Sequence, residues 1–231
     1  MFAIDLRHAC PVIIPGARVA HADYQVGVLT QEDFIHHGVA VPAGFARMRE
    51  KRASEHLAGR ICAKQALEPW HAPKLLALST CREKGPEWPP GMLGSISHSA
   101  GVALACVAPQ HTYSHIGIDV ESVMSHALCD RVHTSILTRE EIDLFQQMEG
   151  LMSFACYTSL LFSAKEAIFK GIHKDVGRAF GFHAARLTYM DGERLEFRLT
   201  EALSREWGPE RRLALNYLHW RDKVYTWLLI G

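Results

Sequence analysis

Two carboxylates at close spacing are the first candidates for chemistry. Asp119 and Glu121 lie in the segment HIGIDVE, whose pattern predicts a β-strand. Residues two apart on a strand point to the same face, so the two carboxylates repel each other. A divalent cation, or an arginine or lysine partner, normally offsets such repulsion. The pair therefore indicates a cation site or an ion pair, with a solvated strand edge as the alternative for so short a pattern.

A second pair of opposite charge lies in FSAKEAIFK, where Glu166 and Lys170 are spaced i,i+4. On a helix these two side chains share a face, and on a surface they would form a weak stabilising ion pair. The residues from 160 to 169 are mostly apolar, however, which predicts a largely buried helix. Charges on such a helix tend to face a cleft, so Glu166 and Lys170 are candidate site residues.

The segment GSISHS places Ser97 beside His98, which suggests a nucleophile and its base. Adjacent residues on an extended segment point to opposite faces, so the two are poor catalytic partners. The pattern also lacks the glycine that follows the serine of a nucleophile elbow. We therefore expect His98 to be a hydrogen-bonding residue where a loop meets a strand, either structural or ligand-binding.

A basic face marks the first long helix predicted along the chain. Arg52 and Arg60 on this face are about 80° apart around the helix axis and about 12 Å apart along it. Two guanidinium groups at that separation could hold two phosphates of one ligand. A solvated helix face is the alternative, and it suits Arg60 poorly because the neighbours of Arg60 are apolar.

The predicted elements that position these residues are mixed along the chain. Helices are predicted over 45–67, 138–147 and 153–172, the second with Thr138 and Glu141 as a capping box, and the third ending at Gly171 or in the following Lys-Asp-Val-Gly segment. Strands are predicted over 101–108, 115–121, 185–189, 194–199, 216–220 and 225–230, and a loop over 82–94. This mixture predicts an α+β fold with two packed subdomains, residues 1–112 and 113–231.

Composition excludes several classes of protein. The 231 residues include 48% hydrophobic residues, enough for a proper core, and 25 basic residues balance 25 acidic ones. A chain without net charge is not expected to bind nucleic acid, so any anion site must be a local cluster. Six cysteines without CxxC spacing argue against structural zinc. No signal peptide or membrane-spanning run is evident, which predicts a soluble cytoplasmic protein.

Four segments together resemble one family. KRASEHLAGRICAKQAL, EWPPGMLGSISHSAG, IGIDVES and FSAKEAIFKGI are similar, in this order, to the signature segments of 4′-phosphopantetheinyl transferases. The resemblance covers about residues 49–182 and is closest to the large single-chain type that activates siderophore, non-ribosomal peptide and polyketide synthases. It implies two similar α/β halves related by a pseudo-twofold axis, with the active site between them, and a chain that acts as a monomer.

The resemblance also implies an activity. Family members transfer the phosphopantetheine arm of coenzyme A to a serine of an acyl or peptidyl carrier protein and release adenosine 3′,5′-bisphosphate. Asp119, Glu121 and Glu166 match the ligands of Mg²⁺, for which Mn²⁺ could substitute. Glu166 also matches a residue that helps to deprotonate the serine. Lys170 matches the lysine that contacts the reacting phosphate and protonates the leaving group.

The residues that match the coenzyme A phosphate contacts of the family lie in the first half. They are Arg52, Arg60, Ser97 and His98, with His98 near the 3′-phosphate. The family also carries a basic residue in the loop before Trp88, a role for which we favour Lys84 over Arg82. Two details differ from the family pattern or weaken it. Ala167 stands where serine is frequent, and some relatives carry glutamine in place of Glu121, which makes it the least secure ligand.

Two other functions remain open at this stage. One is a Mg²⁺-dependent pyrophosphohydrolase acting on a nucleotide, which would use the same acidic residues with water as nucleophile. The other is a non-catalytic module that binds coenzyme A or a carrier, although the intact Asp119, Glu166 and Lys170 argue against it. The carrier is expected to dock on residues 172–182, which include Lys174 and Arg178, or on a loop over residues 122–132.

Overall fold

The computed structural model describes residues 2–6, 10–70, 80–81, 85–148 and 150–231. The chain divides into two compact units, one that ends at Ile116 and includes Gly231, and one from Gly117 to Ile230. The boundary predicted between residues 112 and 113 lies in the turn just before this division. Both units combine antiparallel strands with packed helices, which confirms the predicted α+β class.

The first unit is built on a four-stranded antiparallel sheet in the order β1-β2-β6-β5. Its strands are β1 (Ile4–Asp5), β2 (Arg18–Tyr24), β5 (Met92–Ser99) and β6 (Val102–Pro109), and a separate short pair consists of β3 (Thr80–Cys81) and β4 (Gly85–Pro86). Its helices are α1 (Gln31–His36) and α2 (Glu50–Leu67), with 3₁₀ turns at Phe45–Arg47 and Glu68–Trp70.

Helix α2 packs across β2, β5 and β6 to form the core of this unit. Twelve of its 18 residues are buried, so the charged residues Glu55 and Arg60 are buried with them. Gly59 allows the helix to approach the sheet, because a Cβ at this position would lie 2.7 Å from Cγ2 of Ile96. The glycine that lowers helix propensity is therefore required by packing against the strand that carries Ser97 and His98.

The long helix predicted over 45–67 is wrong at its start. Phe45–Arg47 forms a separate 3₁₀ turn, and Met48 and Arg49 are extended before α2 begins at Glu50. The ring of Phe45 packs edge-on against Phe34 of α1, with ring centroids 5.0 Å apart. This contact holds the turn against α1, so that it does not continue α2.

The second unit contains a five-stranded sheet in the order β7-β11-β10-β9-β8. Its strands are β7 (His115–Ser122), which begins in the first unit, β8 (Ala185–Met190), β9 (Arg194–Leu199), β10 (Arg212–Trp220) and β11 (Lys223–Ile230). Its helices are α3 (His126–Ile136), α4 (Arg139–Gln147) and α5 (Phe154–Val176), with a 3₁₀ turn at Phe182–Ala184. The strands predicted in this half are confirmed, most with ends shifted by one or two residues and β10 starting four residues earlier.

Helix α5 packs on β10, β11 and α3 at the centre of this core. The hydroxyl of Ser153 accepts a hydrogen bond from the Cys156 amide and begins the helix. Gly177, at φ 72°, ends it in the left-handed conformation that glycine adopts readily. The second of the two predicted ends is therefore the observed one, and Gly171 lies inside the helix.

Three other segments differ from prediction. Most of 122–132, expected to be a loop, belongs to α3, which the hydroxyl of Ser125 caps. Strand β5 begins inside the predicted loop 82–94, so Ser97 and His98 lie within a strand. Strand β2 was not predicted, because its sequence RVAHADY lacks strong apolar alternation. In the described part of the chain, no helix is long and apolar enough to cross a membrane.

A buried ion pair between Lys165 of α5 and Glu141 of α4 fixes the position of α5. Nζ of Lys165 donates to Oε2 of Glu141 over 2.7 Å and to the Ile136 carbonyl over 2.8 Å. The same carboxylate accepts from the backbone amides of Thr138 and Leu187, each over 2.7 Å. Burial lowers the pKa of Lys165, and the charge of Glu141 opposes that shift. The predicted capping box is confirmed, and its glutamate also joins α4, α5 and β8.

We expect Glu141→Gln to lower the free energy of unfolding by about 3–5 kcal/mol, because it leaves the Lys165 ammonium buried without its charge partner. Urea unfolding followed by circular dichroism measures this loss. Glu140→Gln is the matched control, because Glu140 is exposed and its ion pair with Arg186 lies at the surface. Equal stability of the two variants would contradict the role given to the buried pair.

Candidate active site

The strand that carries Asp119 meets the helix that carries Lys170 in the second unit. Asp119 on β7 is buried, with 2% of its side chain exposed, and its Oδ1 accepts a hydrogen bond from Nζ of Lys170 on α5 over 2.6 Å. The structure therefore brings together two residues that lie 51 positions apart in sequence. It also supplies the basic partner that the acidic strand required.

Two glycines make this contact possible. A Cβ on Gly117 would lie 1.9 Å from the carbonyl oxygen of Ala167, and one on Gly171 would lie 2.9 Å from Cδ2 of Leu228. Backbone therefore rests on backbone where β7 crosses α5. Because Asp119 is two residues after Gly117 and Lys170 directly precedes Gly171, this close approach determines the distance between the acid and the lysine.

Glu166 lies in the electrostatic field of this pair. Burial and the negative charge of Asp119 raise the pKa of Glu166, and the positive charge of Lys170 lowers it. Two carboxylates that repel each other in a buried setting form a favourable site for a cation. Glu121 is half-buried, and the described residues contain no group of three or more His, Cys, Asp or Glu side chains that could hold a metal ion. The role of Glu121 as a third ligand stays a prediction.

A second cluster lies in the first unit, where α2 faces β5. Nη1 of Arg52 is 3.2 Å from Nε2 of His98, so the helix and the strand supply one group each. Oε2 of Glu55 is 3.8 Å from both Nδ1 of His98 and Nη1 of Arg52. Lys51 lies 3.9 Å from the other oxygen of Glu55. Arg52 and His98, each predicted to bind phosphate, thus share a carboxylate neighbour that the sequence did not indicate.

The same face of α2 contains two further titratable groups. Burial lowers the pKa of Arg60 to about 10, and its Nη1 has no hydrogen-bond partner among the described residues. Burial, together with the positive charges of Arg60 and Arg52, lowers the pKa of His56 to about 4. A buried guanidinium with an unsatisfied donor is energetically costly, and an anionic ligand would remove that cost.

Strand β5 supplies the rest of the predicted phosphate-binding segment. Ser97 is buried on the strand beside His98, which is partly exposed. The ring of Trp88 lies directly over Gly94, where a Cβ would be 2.6 Å from the indole. Lys84 and Arg82 lie outside the described residues, so the choice between them stays a prediction.

Glu55 and His56 are the site residues that the sequence analysis missed. Glu55 follows Arg52 by three positions in KRASEHLAGR, which places an acid and a base on one helix face. That spacing could have indicated Glu55 as a site residue. His98 follows Glu55 by 43 positions, so the contact between them could not be inferred from helix periodicity.

The last turn of α5 and the segment after it present charges to solvent, and their aromatic rings pack against the core. Lys174 and Arg178 are exposed, and Nη2 of Arg178 donates to the Ala202 carbonyl over 3.2 Å. Phe180 packs on Phe169 and Phe182 on Phe162, with ring centroids 5.0 and 5.3 Å apart. The charges rather than the rings are therefore available to a partner.

Comparison with known proteins gives matches over most of the chain. The family described as the 4′-phosphopantetheinyl transferase N-terminal domain matches residues 41–108, and the 4′-phosphopantetheinyl transferase superfamily matches residues 115–217. Enterobactin synthase component D of Salmonella typhimurium (strain LT2) is 32% identical over 197 residues, which cover 84% of this chain and 78% of the relative. The 4′-phosphopantetheinyl transferase PptT of Mycobacterium tuberculosis is 30% identical over 189 residues, 74% of this chain and 80% of the relative.

A solved structure is that of the holo-(acyl-carrier-protein) synthase from Bacillus anthracis in complex with CoA (3′,5′-ADP). The alignment covers 52% of this chain and 98% of the synthase chain, with a TM-score of 0.36 and 18% identity. The two family matches and the relatives define a class of transferase whose signature segments contain both clusters described above. The chain belongs to the 4′-phosphopantetheinyl transferase superfamily and is an enzyme of its large, single-chain type.

We expect Gly117→Ala to lower transferase turnover at least about tenfold, because the added methyl would force β7 away from α5 and separate Asp119 from Lys170. Steady-state kinetics with saturating substrates measures the change. Gly192→Ala is the control, since a Cβ there meets nothing within 4 Å. Wild-type turnover in Gly117→Ala would show that the close approach does not determine the catalytic geometry.

Proposed function

We propose that this chain transfers the 4′-phosphopantetheine arm of coenzyme A to a serine hydroxyl of an acyl or peptidyl carrier protein, with adenosine 3′,5′-bisphosphate as the second product. The observation that carries this proposal is the meeting of Asp119 with Lys170, next to Glu166, in the unit that matches the transferase superfamily. Phosphoryl-type transfer depends mainly on positioning and on stabilising charge, and this cluster combines both signs of charge in a partly buried setting.

In this proposal the second unit carries the reacting groups. Glu166 accepts the proton of the attacking serine hydroxyl at a carboxylate oxygen. Lys170 holds its ammonium on the phosphate under attack and donates a proton to the departing oxygen. Asp119 holds Lys170 in position through the 2.6 Å hydrogen bond. Burial of Asp119 keeps this pair ordered, so little reorganisation is needed when the substrate binds.

The donor set fits a magnesium ion. Mg²⁺ prefers oxygen ligands and is commonly held by one or two carboxylates together with water and substrate phosphates. Asp119 and Glu166 would supply the two carboxylates, with Glu121 as the predicted third ligand, and Mn²⁺ suits the same oxygens. When bound, the ion would neutralise charge on the pyrophosphate as the bond to phosphorus breaks.

The first unit would bind the nucleotide end of coenzyme A. His98 and Arg52 would donate to the 3′-phosphate, and Ser97 and the neighbouring backbone would line the same segment. Arg60 is proposed to bind phosphate as well, which would give its buried Nη1 an acceptor. Lys84 is proposed to add a further phosphate contact. This assignment gives a chain with no net charge a local cationic site.

The experiment that tests the function is mass spectrometry of an apo carrier protein incubated with the enzyme, coenzyme A and Mg²⁺. We expect the carrier to gain the mass of one phosphopantetheine arm. Cleavage of coenzyme A in the absence of a carrier would instead indicate a pyrophosphohydrolase. Binding of coenzyme A with neither outcome would indicate a non-catalytic module.

In the same assay we expect Asp119→Ala and Glu166→Gln to lower turnover at least about a thousandfold, because each removes a negatively charged carboxylate worth several kcal/mol of charge stabilisation. Thermal unfolding of each variant would verify its fold. Glu201→Gln, an exposed change in the same unit, is the control. Near-wild-type turnover of Asp119→Ala at saturating Mg²⁺ would overturn this assignment of the site.

The carrier is proposed to dock on the last turn of α5 and the segment that follows it. Lys174 and Arg178 are exposed there, whereas Phe180 and Phe182 pack on the core, so the attraction would be mainly electrostatic. The other segment considered, 122–132, is mostly helix α3, on which Leu128 is exposed. An acidic partner helix would suit the basic pair better than this apolar side chain.

Replacing both Lys174 and Arg178 with Glu should raise the KM for the carrier about tenfold or more at low salt and leave the KM for coenzyme A unchanged. The effect should shrink as salt rises, because exposed charges are screened within about 8 Å at physiological ionic strength. Arg205→Glu with Arg212→Glu gives the same change in net charge on exposed residues of the same unit. A similar KM for the carrier in both double variants would place the docking surface elsewhere.

We further propose that the enzyme works as a monomer in the cytoplasm and does not bind nucleic acid. Both family segments lie in one chain, so a second copy is not needed to supply either unit. The five cysteines described in the structure, Cys10, Cys62, Cys106, Cys129 and Cys156, are free thiols, which suits a reducing compartment.

A further inference from the structure

The carboxylate of Glu55 lies within a cluster that is proposed to bind a phosphate, where a negative charge should oppose the ligand. Its side chain is 12% exposed, and three basic side chains approach its two oxygens within 4 Å, those of Lys51, Arg52 and His98. A residue that served only to bind phosphate would not be an acid. The geometry around His98 gives Glu55 a different role.

The contact between Arg52 and His98 fixes the protonation of the imidazole. A guanidinium has five N–H donors and no acceptor. Nη1 of Arg52 therefore makes a hydrogen bond to Nε2 of His98, 3.2 Å away, only when Nε2 carries no proton. The proton of the neutral ring must then lie on Nδ1, the nitrogen that faces Oε2 of Glu55 at 3.8 Å. In the protein without ligand, His98 is thus a neutral Nδ1–H tautomer.

A phosphate dianion requires a different state of the same ring. Phosphate oxygens are acceptors, so His98 can contact them through Nε2 only when Nε2 carries a proton. With Nδ1 already protonated, the ring then becomes a cation and loses its hydrogen bond from Arg52. The guanidinium of Arg52, 60% exposed, is released to donate to the same phosphate. The imidazolium is stabilised by the nearby carboxylate of Glu55.

We propose that Glu55 is a positioning residue whose charge, 3.8 Å from Nδ1 of His98, favours a proton on that nitrogen and stabilises the cationic form of the ring, so that binding of the 3′-phosphate is coupled to uptake of one proton. This inference rests on the proposed function, in which His98 binds that phosphate. It assigns selectivity for coenzyme A over its 3′-dephospho form to Glu55 as well as to the residues that touch the phosphate.

Other titratable groups near the ring do not account for such uptake near neutral pH. Among the residues that the structure describes, the titratable groups shown near His98 and Glu55 are Lys51, Arg52, His56 and Arg60 on α2 and Tyr24 on β2. His56 stays neutral, because burial and the neighbouring arginines lower its pKa to about 4. Tyr24 also stays neutral, because burial and the charge of Glu55 raise its pKa to about 12. Arg60 keeps its charge in this range, because its pKa of about 10 lies well above neutral pH.

Isothermal titration calorimetry with adenosine 3′,5′-bisphosphate tests the coupling. At pH 8 the ligand phosphates are fully ionised and a free imidazole is almost wholly neutral. Titrations in buffers with different ionisation enthalpies then give the number of protons taken up. We expect close to one proton for the wild type and close to none for Glu55→Gln and His98→Ala.

Affinities from the same titrations distinguish the proposed positioning role of Glu55 from simple repulsion of the phosphate by its charge. We expect Glu55→Gln to weaken binding of the bisphosphate about tenfold or more and to leave that of adenosine 5′-phosphate unchanged. Glu55→Asp should restore part of the affinity. Glu50→Gln, an exposed change at the start of the same helix, is the control. Tighter binding by Glu55→Gln, with unaltered proton uptake, would overturn the inference.

A measurement on the unmodified protein does not depend on the folding of any variant. Nitrogen-15 NMR of the ligand-free wild type should show His98 as the Nδ1–H tautomer, and an Nε2–H tautomer would contradict the inference. Failure of the proposed function would give a different result in these titrations. If the wild type does not prefer the bisphosphate, or His98→Ala keeps that preference, His98 does not bind the 3′-phosphate. If Glu55→Gln keeps both the preference for the bisphosphate and the proton uptake, while His98→Ala loses them, the role proposed for Glu55 is wrong and that of His98 stands.

Discussion

The direct approach of strand β7 to helix α5 is the constraint on which the second unit depends. Gly117 faces the backbone of Ala167 with no room for a single carbon atom between them. A larger residue would have to move either the strand that holds Asp119 or the helix that holds Lys170. The buried pair of Lys165 with Glu141 holds the same helix from α4. Because Lys165 and Glu166 are adjacent, a structural and a functional charge share one turn of α5.

In the first unit, too, a glycine allows a helix to lie close to a strand. Gly59 brings α2 onto Ile96 of β5, and the residues flanking this contact are those proposed to bind phosphate. Arg60 directly follows the glycine, and His98 is two residues after Ile96 on the strand. In both units, therefore, charged side chains are placed by a helix that lies unusually close to a strand. Short, rigid spacing of this kind limits the motion of charged groups that must act together.

Local patterns in the sequence predicted the elements that carry the proposed site, and the roles of its residues stay predictions. The strand HIGIDVE and the helix around Glu166 have strong periodicity, and the capping box at Thr138 has a clear chemical signature. The order of four signature segments then indicated the family. The start of α2 was wrong because the packing of Phe45 on Phe34 overrides the helical pattern. Strand β2 has a weak apolar pattern, whereas helix α3 has an apolar face and the Ser125 cap, signals that the prediction of a loop did not use.

Pairs of residues far apart in sequence could not be predicted in this way. The pairing of Lys165 with Glu141 and that of Glu55 with His98 depend on how elements pack, which no local period encodes. The same holds for the glycines, since Gly59 in the sequence reads only as a weak point in a helix. The residues proposed for the site were thus easier to predict than the contacts that hold them in place.

If Arg60 binds a phosphate of coenzyme A as proposed, its buried guanidinium would link the folding equilibrium of the enzyme to the supply of its substrate. With one donor unsatisfied, the empty protein retains a desolvation cost that an apolar side chain would not have. A ligand that binds only the folded chain adds a stability of RT ln(1 + [L]/Kd). When coenzyme A is abundant, the folded population rises, and when it is depleted, more of the enzyme becomes open to proteolysis. The amount of active enzyme in a cell would then follow the coenzyme A pool without any change in gene expression.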